Sequence, residues 1–436
     1  MIPLYLANLM HIGMGVIDTV VAGQAGAMDL AAVALGCSVT APIMVSLGAI
    51  LSILGPMVSR LIGEGAEKRV GALLSSGKAL AVLLMLPELA LLYGGTLLFP
   101  YITDSVEMAS GASRYVQYVM LAVPASLFMR VVQGCWEGYS QTRPAMVVCF
   151  FGLILNIPLN YAFVFGMWGF PALGGAGCGA ATAVIHWIMC GMLWALMLLS
   201  RQHRTAALQT LALRIPLADV CLRIWRLGLP LGVASLCEMS FFCVVTLIIA
   251  PLGELVVSAQ QIAINVSGVL YMFPLSLGVA ISIRAAYHIG SGNKDAFQAM
   301  VRTVLRFTYA AMLVFMSCVI IWRHEIIALY TDEPLIIELA GSLIVLCALY
   351  QISDATQALM AGLLRGCHDT AVITWANLAC YWLLGFPLSC ILIRTDWIIP
   401  AMGPAGAWYS FIISLTVAAF ILYLRFRRTV RRIFAD

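Results

Sequence analysis

The sequence predicts an all-α polytopic membrane protein: twelve transmembrane helices in two six-helix bundles related by a parallel internal repeat. Three observations carry that prediction, namely the composition, the spacing of apolar stretches and a self-match between the two halves. Of 436 residues, 62% are hydrophobic and only 10% are charged, with a mean hydropathy of +0.99. A soluble domain carries about 25% charged and 45–50% apolar residues. This chain has too little charged surface to dissolve.

Twelve apolar stretches follow in order: 2–22, 30–58, 71–99, 112–139, 144–166, 178–200, 228–250, 257–283, 298–322, 337–364, 371–394 and 405–424. Each suits a helix that needs ~20 apolar residues to span a bilayer. The short alternating strands of a barrel are missing. Polar or turn-forming breaks such as GEGAEKR (63–69), TDSVE (103–107) and TDEP (331–334) separate the stretches. No loop approaches the ~100 residues of a soluble domain. An attached ATPase, kinase or nucleic-acid module is therefore excluded.

Basic residues set the orientation. Loops after even-numbered spans, with the C-terminal tail, hold twenty Lys and Arg; loops after odd-numbered spans hold only Arg114, Arg323 and Arg394. This positive-inside bias places both termini in the cytoplasm of a protein crossing the inner (plasma) membrane many times. The net charge of +4 belongs to these loop arginines. The RFRRTVRR run (425–432) reads as a cytoplasmic polybasic segment touching anionic lipid. The opening MIPLYLANLMHIGMG has no basic n-region or small-residue cleavage site, so no cleavable signal peptide is expected.

The halves repeat. Residues 3–65 laid on 230–292 match at eleven positions without a gap, among them Pro3/Pro230, Thr19/Thr246, Gly26/Gly253, Gly63/Gly290 and Gly65/Gly292. PALGGAG (171–177) matches PAMGPAG (400–406) at nearly the same offset. The expected organisation is a bundle over 1–200, a basic cytoplasmic linker over 201–227 and a second bundle with a basic tail over 228–436. Six spans per half give both halves the same orientation, the arrangement of parallel-repeat transporters that work by alternating access.

An ionisable group inside a span costs ~2.5–3.5 kcal/mol on the mildest scale, so each one calls for a reason. Asp18, Glu238 and Asp354 stand in apolar surroundings on the first, seventh and tenth spans. Tyr350 and Asp354 are four apart and share a helix face, where a carboxylate and an aromatic ring suit a cation. Asn156 and Asn160 flank Pro158, and a loosened backbone there would add oxygens. Asp18, the two amides and Thr182 form a candidate hard-cation or proton site. The bland readings are a structural acid and an Asn pair that bonds helices together.

His11 aligns with Glu238 in the repeat and reads as a packed neutral histidine rather than a relay. Glu88 and His186 are candidate cavity groups with no identified partner. Glu137 and Arg365 fall at corresponding repeat positions and form a candidate cytoplasmic gate. The thirteen cysteines lack a C-x-x-C pair and read as small hydrophobes. No metal site is expected beyond a transported Na+. GALLSSGKA (71–79) and GGAGCGAA (174–181) are decoys for phosphate loops, because neither follows a strand and the first lies within an apolar helix.

MGVIDTVVAGQAGAMDLAAVALG (14–36), NIPLNYAFVFG (156–166), GGAGCGAATA (174–183), LCEMSFF (236–242), INVSGVLYMFPLSLGVAISIR (264–284) and ISDATQALMAGLLRG (352–366) lie in order across both halves. Together they resemble the multidrug and toxic compound extrusion (MATE) family, in its NorM-like branch. The resemblance implies two bundles forming a V-shaped cleft and export of organic cations driven by Na+ or H+. Asp18 matches the family's first-span acid, with Asn156 and Asn160 beside it and Cys178 and Thr182 near where that site is completed. Glu238, Tyr271, Tyr350 and Asp354 match second-half positions associated with cation and drug binding, and the acid pair argues against the DinF-like branch. Family members usually begin with a short cytoplasmic lead. Here Met1 starts almost inside the membrane, so an upstream start or a short first helix is expected.

The expected function is a secondary antiporter that exports lipophilic organic cations in exchange for Na+ or H+ and works as a monomer in the lipid bilayer. It needs no cofactor and binds no nucleic acid. The alternative is a lipid or lipid-linked oligosaccharide flippase of the wider superfamily, which should show a cationic cleft. An enzyme would need a nucleophile–base pair or a metal set, and neither is discernible.

Overall fold

The computed structural model describes residues 2–103, 105–211, 217–249, 252–328, 330, 333–395 and 400–434. Asp104, Thr331 and Asp332 of two predicted breaks, and residues 212–216 of the basic linker with Arg214, lie outside the described residues. Among the described residues the only regular secondary structure is helical. Eleven helices are long and apolar enough to cross a membrane, or twelve when one bent pair counts as a span. The chain divides into two compact units, Met1–Gly232 and Val233–Asp436.

In the first unit α1 (Ile2–Ala25) is followed by α2 (Ala27–Leu51) and α3 (Leu54–Gly63), which share the stretch read as one span. The helix α4 (Val70–Ile102) runs unbroken through GALLSSGKA, and Lys78 donates to the Thr210 carbonyl. The expected span 112–139 is instead a pair, α5 (Val106–Met120) and α6 (Val123–Gly138), bent by 43°. Pro124 in the first turn of α6 has no N–H to continue the ladder from α5. Next come α7 (Arg143–Phe165), α8 (Ala176–Leu199) and the short α9 (Arg204–Leu211).

One expectation fails here. The helix α7 stays continuous through Pro158 rather than unwinding. Proline removes its own N–H from the ladder, and its neighbours keep theirs. The helix α8 is drawn tightly onto α7 at Gly177, where an added Cβ would stand 2.6 Å from the Phe163 backbone. That contact brings Cys178 and Thr182 close to the α7 asparagines.

The helix α10 (Ala218–Ile249) begins ten residues before its apolar stretch, inside the segment read as linker, and runs from the first unit into the second. There follow α11 (Glu254–Gly290), α12 (Lys294–Ile321), α13 (Arg323–Ala328) and α14 (Pro334–Gly366). Gly362 and Gly366 let α14 lie against α11. A Cβ at Gly362 would run into the Gly278 carbonyl, and one at Gly366 would stand 2.5 Å from that of Ser282. This is close packing by small residues at four-residue spacing, as membrane helices use it.

The stretch 371–394 is not one regular helix. A π-helical segment, Leu378–Gly385, separates α15 (Ala371–Asn377) from α16 (Phe386–Arg394). Pro387 cannot donate to the carbonyl four residues back, and Gly385 fits beside Phe241 and Ser414. The core of this unit is aromatic: Tyr381 stacks on Phe241 at 5.3 Å, and Phe411 packs edge-on to both Phe241 and Trp408.

The last helix, α17 (Pro404–Ile433), carries the basic run on past its apolar stretch. Arg425 grips Asp369 in the loop after α14 with two hydrogen bonds, 2.7 and 3.2 Å, and Thr429 adds a third at 2.6 Å. Burial alone would raise the Asp369 carboxyl. The hydrogen bonds from Arg425 and Thr429, with the charges of Arg425 and Arg432, outweigh it and hold the group below the usual carboxylate range. A lowered acid contributes stability above its ordinary pKa and loses it as pH falls through the lowered value. The window therefore lies below about pH 4. Asp369→Asn should cost about 2 kcal/mol at neutral pH, and the deficit should vanish in melting curves taken toward pH 2.

Candidate functional site

Two acid-centred clusters arise, one in each unit. In the first, α1 carries Asp18 past its midpoint, α7 presents Asn156 and Asn160 one turn apart, and α8 brings Thr182. Asn156 and Asn160 donate to Asp18 Oδ1 at 2.9 and 2.7 Å, and Thr182 donates to Oδ2 at 3.3 Å. The Cys178 thiol reaches the Asp18 carbonyl at 3.5 Å. All four side chains named for this cluster therefore meet, with Cys178 beside them. The amide oxygens of Asn156 and Asn160 are buried and accept no hydrogen bond among the described residues. With the carboxylate they make an oxygen set of the kind that holds a hard cation.

Asp18 faces a cavity of about 270 Å³ inside this unit. His11, Tyr115, Arg130 and His186 share its walls, so both histidines named from the sequence stand in the same cavity. Their rings meet edge to face at 6.5 Å. The glycine decoy has an ordinary role: Gly175 N–H donates to Asp29 Oδ1 at 2.6 Å, fastening α2 to the start of α8.

In the second unit Glu238 on α10, Tyr271 on α11 and Tyr350 and Asp354 on α14 lie within electrostatic reach of one another. Asp354 is 1% exposed, and no hydrogen bond of regular geometry closes onto either of its oxygens among the described residues. Tyr350, one turn earlier, is the hydroxyl acting on it. Glu238 is half-buried. Neither acid forms an ion pair among the described residues. Two carboxylates in an aromatic wall without a basic partner attract a cation.

Sequence reasoning missed three residues here. Buried Gln357 donates to Asn377 Oδ1 at 3.2 Å and to the Tyr381 hydroxyl at 3.1 Å. Tyr381 lies in reach of Glu238 and Asp354. The three-residue step from Asp354 to Gln357 was a visible signal. The π-helical register that aims Tyr381 was not.

Glu137, near the end of α6, is buried and accepts from Gln133 at 2.8 Å. Arg365 occupies the last turn of α14. Among the described residues no group of three or more His, Cys, Asp or Glu is placed to hold a metal ion, and all thirteen cysteines are free.

The model of the MatE family matches residues 3–162 and again 230–391. The chain belongs to the MATE family. Its NorM-like character is supported by relatives 38% identical over nearly the whole chain. The multidrug resistance protein NorM of Photobacterium profundum aligns with 98% of this chain and 93% of its own length. The multidrug resistance protein MdtK of Yersinia pseudotuberculosis aligns to the same extent. Among solved structures, the eukaryotic MATE transporter AtDTX14 superposes with a TM-score of 0.87 at 22% identity, covering 99% of this chain and 96% of that one. An outward-facing multidrug resistance MATE transporter of the MOP superfamily gives 0.89 at 18%, covering 100% and 95%. These two likenesses establish the fold. A MATE protein is a transporter and not an enzyme.

Proposed function

We propose that this MATE protein is a secondary antiporter that exports lipophilic organic cations in exchange for Na+ or H+. The observation that carries the reading is the Asp18 carboxylate, held inside a span by Asn156, Asn160 and Thr182 and facing a cavity. The coupling cation binds there. Glu238, Tyr271, Tyr350 and Asp354 bind cation or drug in the second unit, where Tyr381 is a further wall. Two states with different affinities for ion and drug are what let one ligand drive the other. Each charge crossing the membrane supplies ~2.3 kcal/mol per 100 mV, enough for substantial drug accumulation.

The double match of one family model supports twelve spans in two repeated six-helix bundles. The basic bias supports cytoplasmic termini in the plasma membrane, and a monomer is proposed as the working unit. Glu137 and Arg365 are proposed to close the cytoplasmic side. Glu137→Arg or Arg365→Glu alone should cut transport about tenfold, and the double reversal should restore it, as for a coupled charge pair. Expression in a drug-sensitive host tests the function: tolerance should rise for cationic dyes such as ethidium and stay unchanged for neutral compounds of similar size. Protection confined to neutral compounds, or none, would remove the reading and favour the flippase.

A further inference from the structure

Four helices of the first unit enclose a second, smaller cavity next to the one that Asp18 faces. On α1 the lining passes from Asp18 through His11 to Asn8, and on α6 from Arg130 to Gln133. On α7 it passes from Asn156 to Cys149, and on α8 from His186 to Met189. The shift has one direction on all four helices, toward the end where α1 and α7 begin and α6 and α8 finish. The two cavities are therefore stacked along the bundle, and they share a wall of His11, Met129 and Arg130. From Asp18 to Asn8 the column covers about 15 Å at ~1.5 Å per residue, half of a ~30 Å hydrocarbon core. The second cavity holds about 70 Å³. Its polar walls and size suit water, which needs about 15 Å³ and polar partners.

The end that the column approaches is the basic one. Arg143 opens α7, and Arg201 and Arg204 follow the end of α8, on the side that the basic bias assigns to the cytoplasm. One turn beyond the second cavity, Gln133 donates to Glu137 Oε1 at 2.8 Å, so the column runs toward the residue already proposed to close that side. Charged and polar side chains stacked through half a bilayer mark an ion pathway. We infer that the second cavity is the exit by which the coupling cation leaves Asp18 for the cytoplasm, with His11, Met129 and Arg130 as its gate. The fixed charge of Arg130 repels a cation at the neck, as arginine does in pores that exclude cations, and so holds back leak when no drug is carried. The level between the cavities is packed by thioether side chains: a Cβ at Gly152 would stand 2.7 Å from the Met189 sulfur and 3.5 Å from that of Met14. Such unbranched side chains repack readily when helices shift, which lets the neck open. The inference rests on the antiport reading, because it assigns the coupling cation to Asp18.

The test fills the second cavity and weakens its gate separately, in proteoliposomes. Ala145 lines that cavity and is buried, and Ala145→Leu puts an isobutyl group where a methyl stands. The folded variant should bind ethidium as the wild type does and transport it at least about tenfold more slowly under the driving gradient. Ala7→Leu fills the same cavity from α1 and takes its place if Ala145→Leu does not fold. Arg130→Gln should speed the drug-free collapse of an imposed Na+ or pH gradient about tenfold or more. Adding the cavity-filling leucine to Arg130→Gln should return that leak to the wild-type rate. Three results overturn the inference and spare the antiport reading: wild-type transport with the cavity filled, no leak in Arg130→Gln, or a leak that survives in the double variant. Polar side chains that only hold helices together would lower the melting temperature of Arg130→Gln and leave the leak unchanged. Wild-type protein that moves no ethidium under either gradient overturns both readings.

Discussion

Asp18→Asn should abolish the proposed gradient-driven export while leaving the protein folded. The substitution is nearly isosteric. The remaining amide oxygen still accepts from Asn156 and Asn160, and the new amide nitrogen can donate to the Thr182 hydroxyl. What disappears is the negative charge, which no neighbouring residue replaces. A cation held by amide oxygens alone loses its main attraction. Transport should fall at least ~100-fold, equivalent to ~2.7 kcal/mol at the rate-limiting state. Size-exclusion profiles and melting temperature should stay within the range of the wild type. Substantial transport by well-folded Asp18→Asn protein would move the coupling site elsewhere.

Asp354→Asn should lose drug export by a comparable factor and, unlike Asp18→Asn, should raise stability. Asp354 is buried with no regular hydrogen bond to either oxygen and stands near a second acid, Glu238. Such a group is held against its own desolvation cost, which function and not the fold requires. Neutralising it removes that cost. The melting temperature should rise by about 2 °C or more, while ethidium binding weakens and transport stops. Glu238→Gln should follow the same pattern more weakly in stability, since Glu238 is only half-buried. A loss of stability in Asp354→Asn would mean that the acid has a structural partner, and the second-unit site would fall.

The legible parts of this chain are those where a single helix face or a single composition carries the signal. Apolar length bounds the spans, and four-residue spacing marks the Tyr350–Asp354 pair. The Asn156–Asn160 pair was read from the same spacing, and its convergence on Asp18 follows because α1, α7 and α8 pack together. The failures share one cause. Proline at 124 bends α5 against α6, proline at 158 leaves α7 straight, and proline at 387 lies beside a π-helical segment. The residue is the same each time, and packing against neighbours decides the outcome. Tyr381 was missed for that reason: the π-helical register turns it onto Phe241 and toward Gln357. The Asp369–Arg425 pair joins a loop to a helix 56 residues on, beyond any local pattern.

The antiport claim is tested most directly by ethidium movement in proteoliposomes under an imposed Na+ gradient and, separately, an imposed pH gradient. Uptake driven by one gradient, absent without it and lost in both Asp18→Asn and Asp354→Asn, is the predicted result, and it names the ion. Folded protein that moves no cationic dye under either gradient, or moves it equally well with both acids neutralised, would contradict the account.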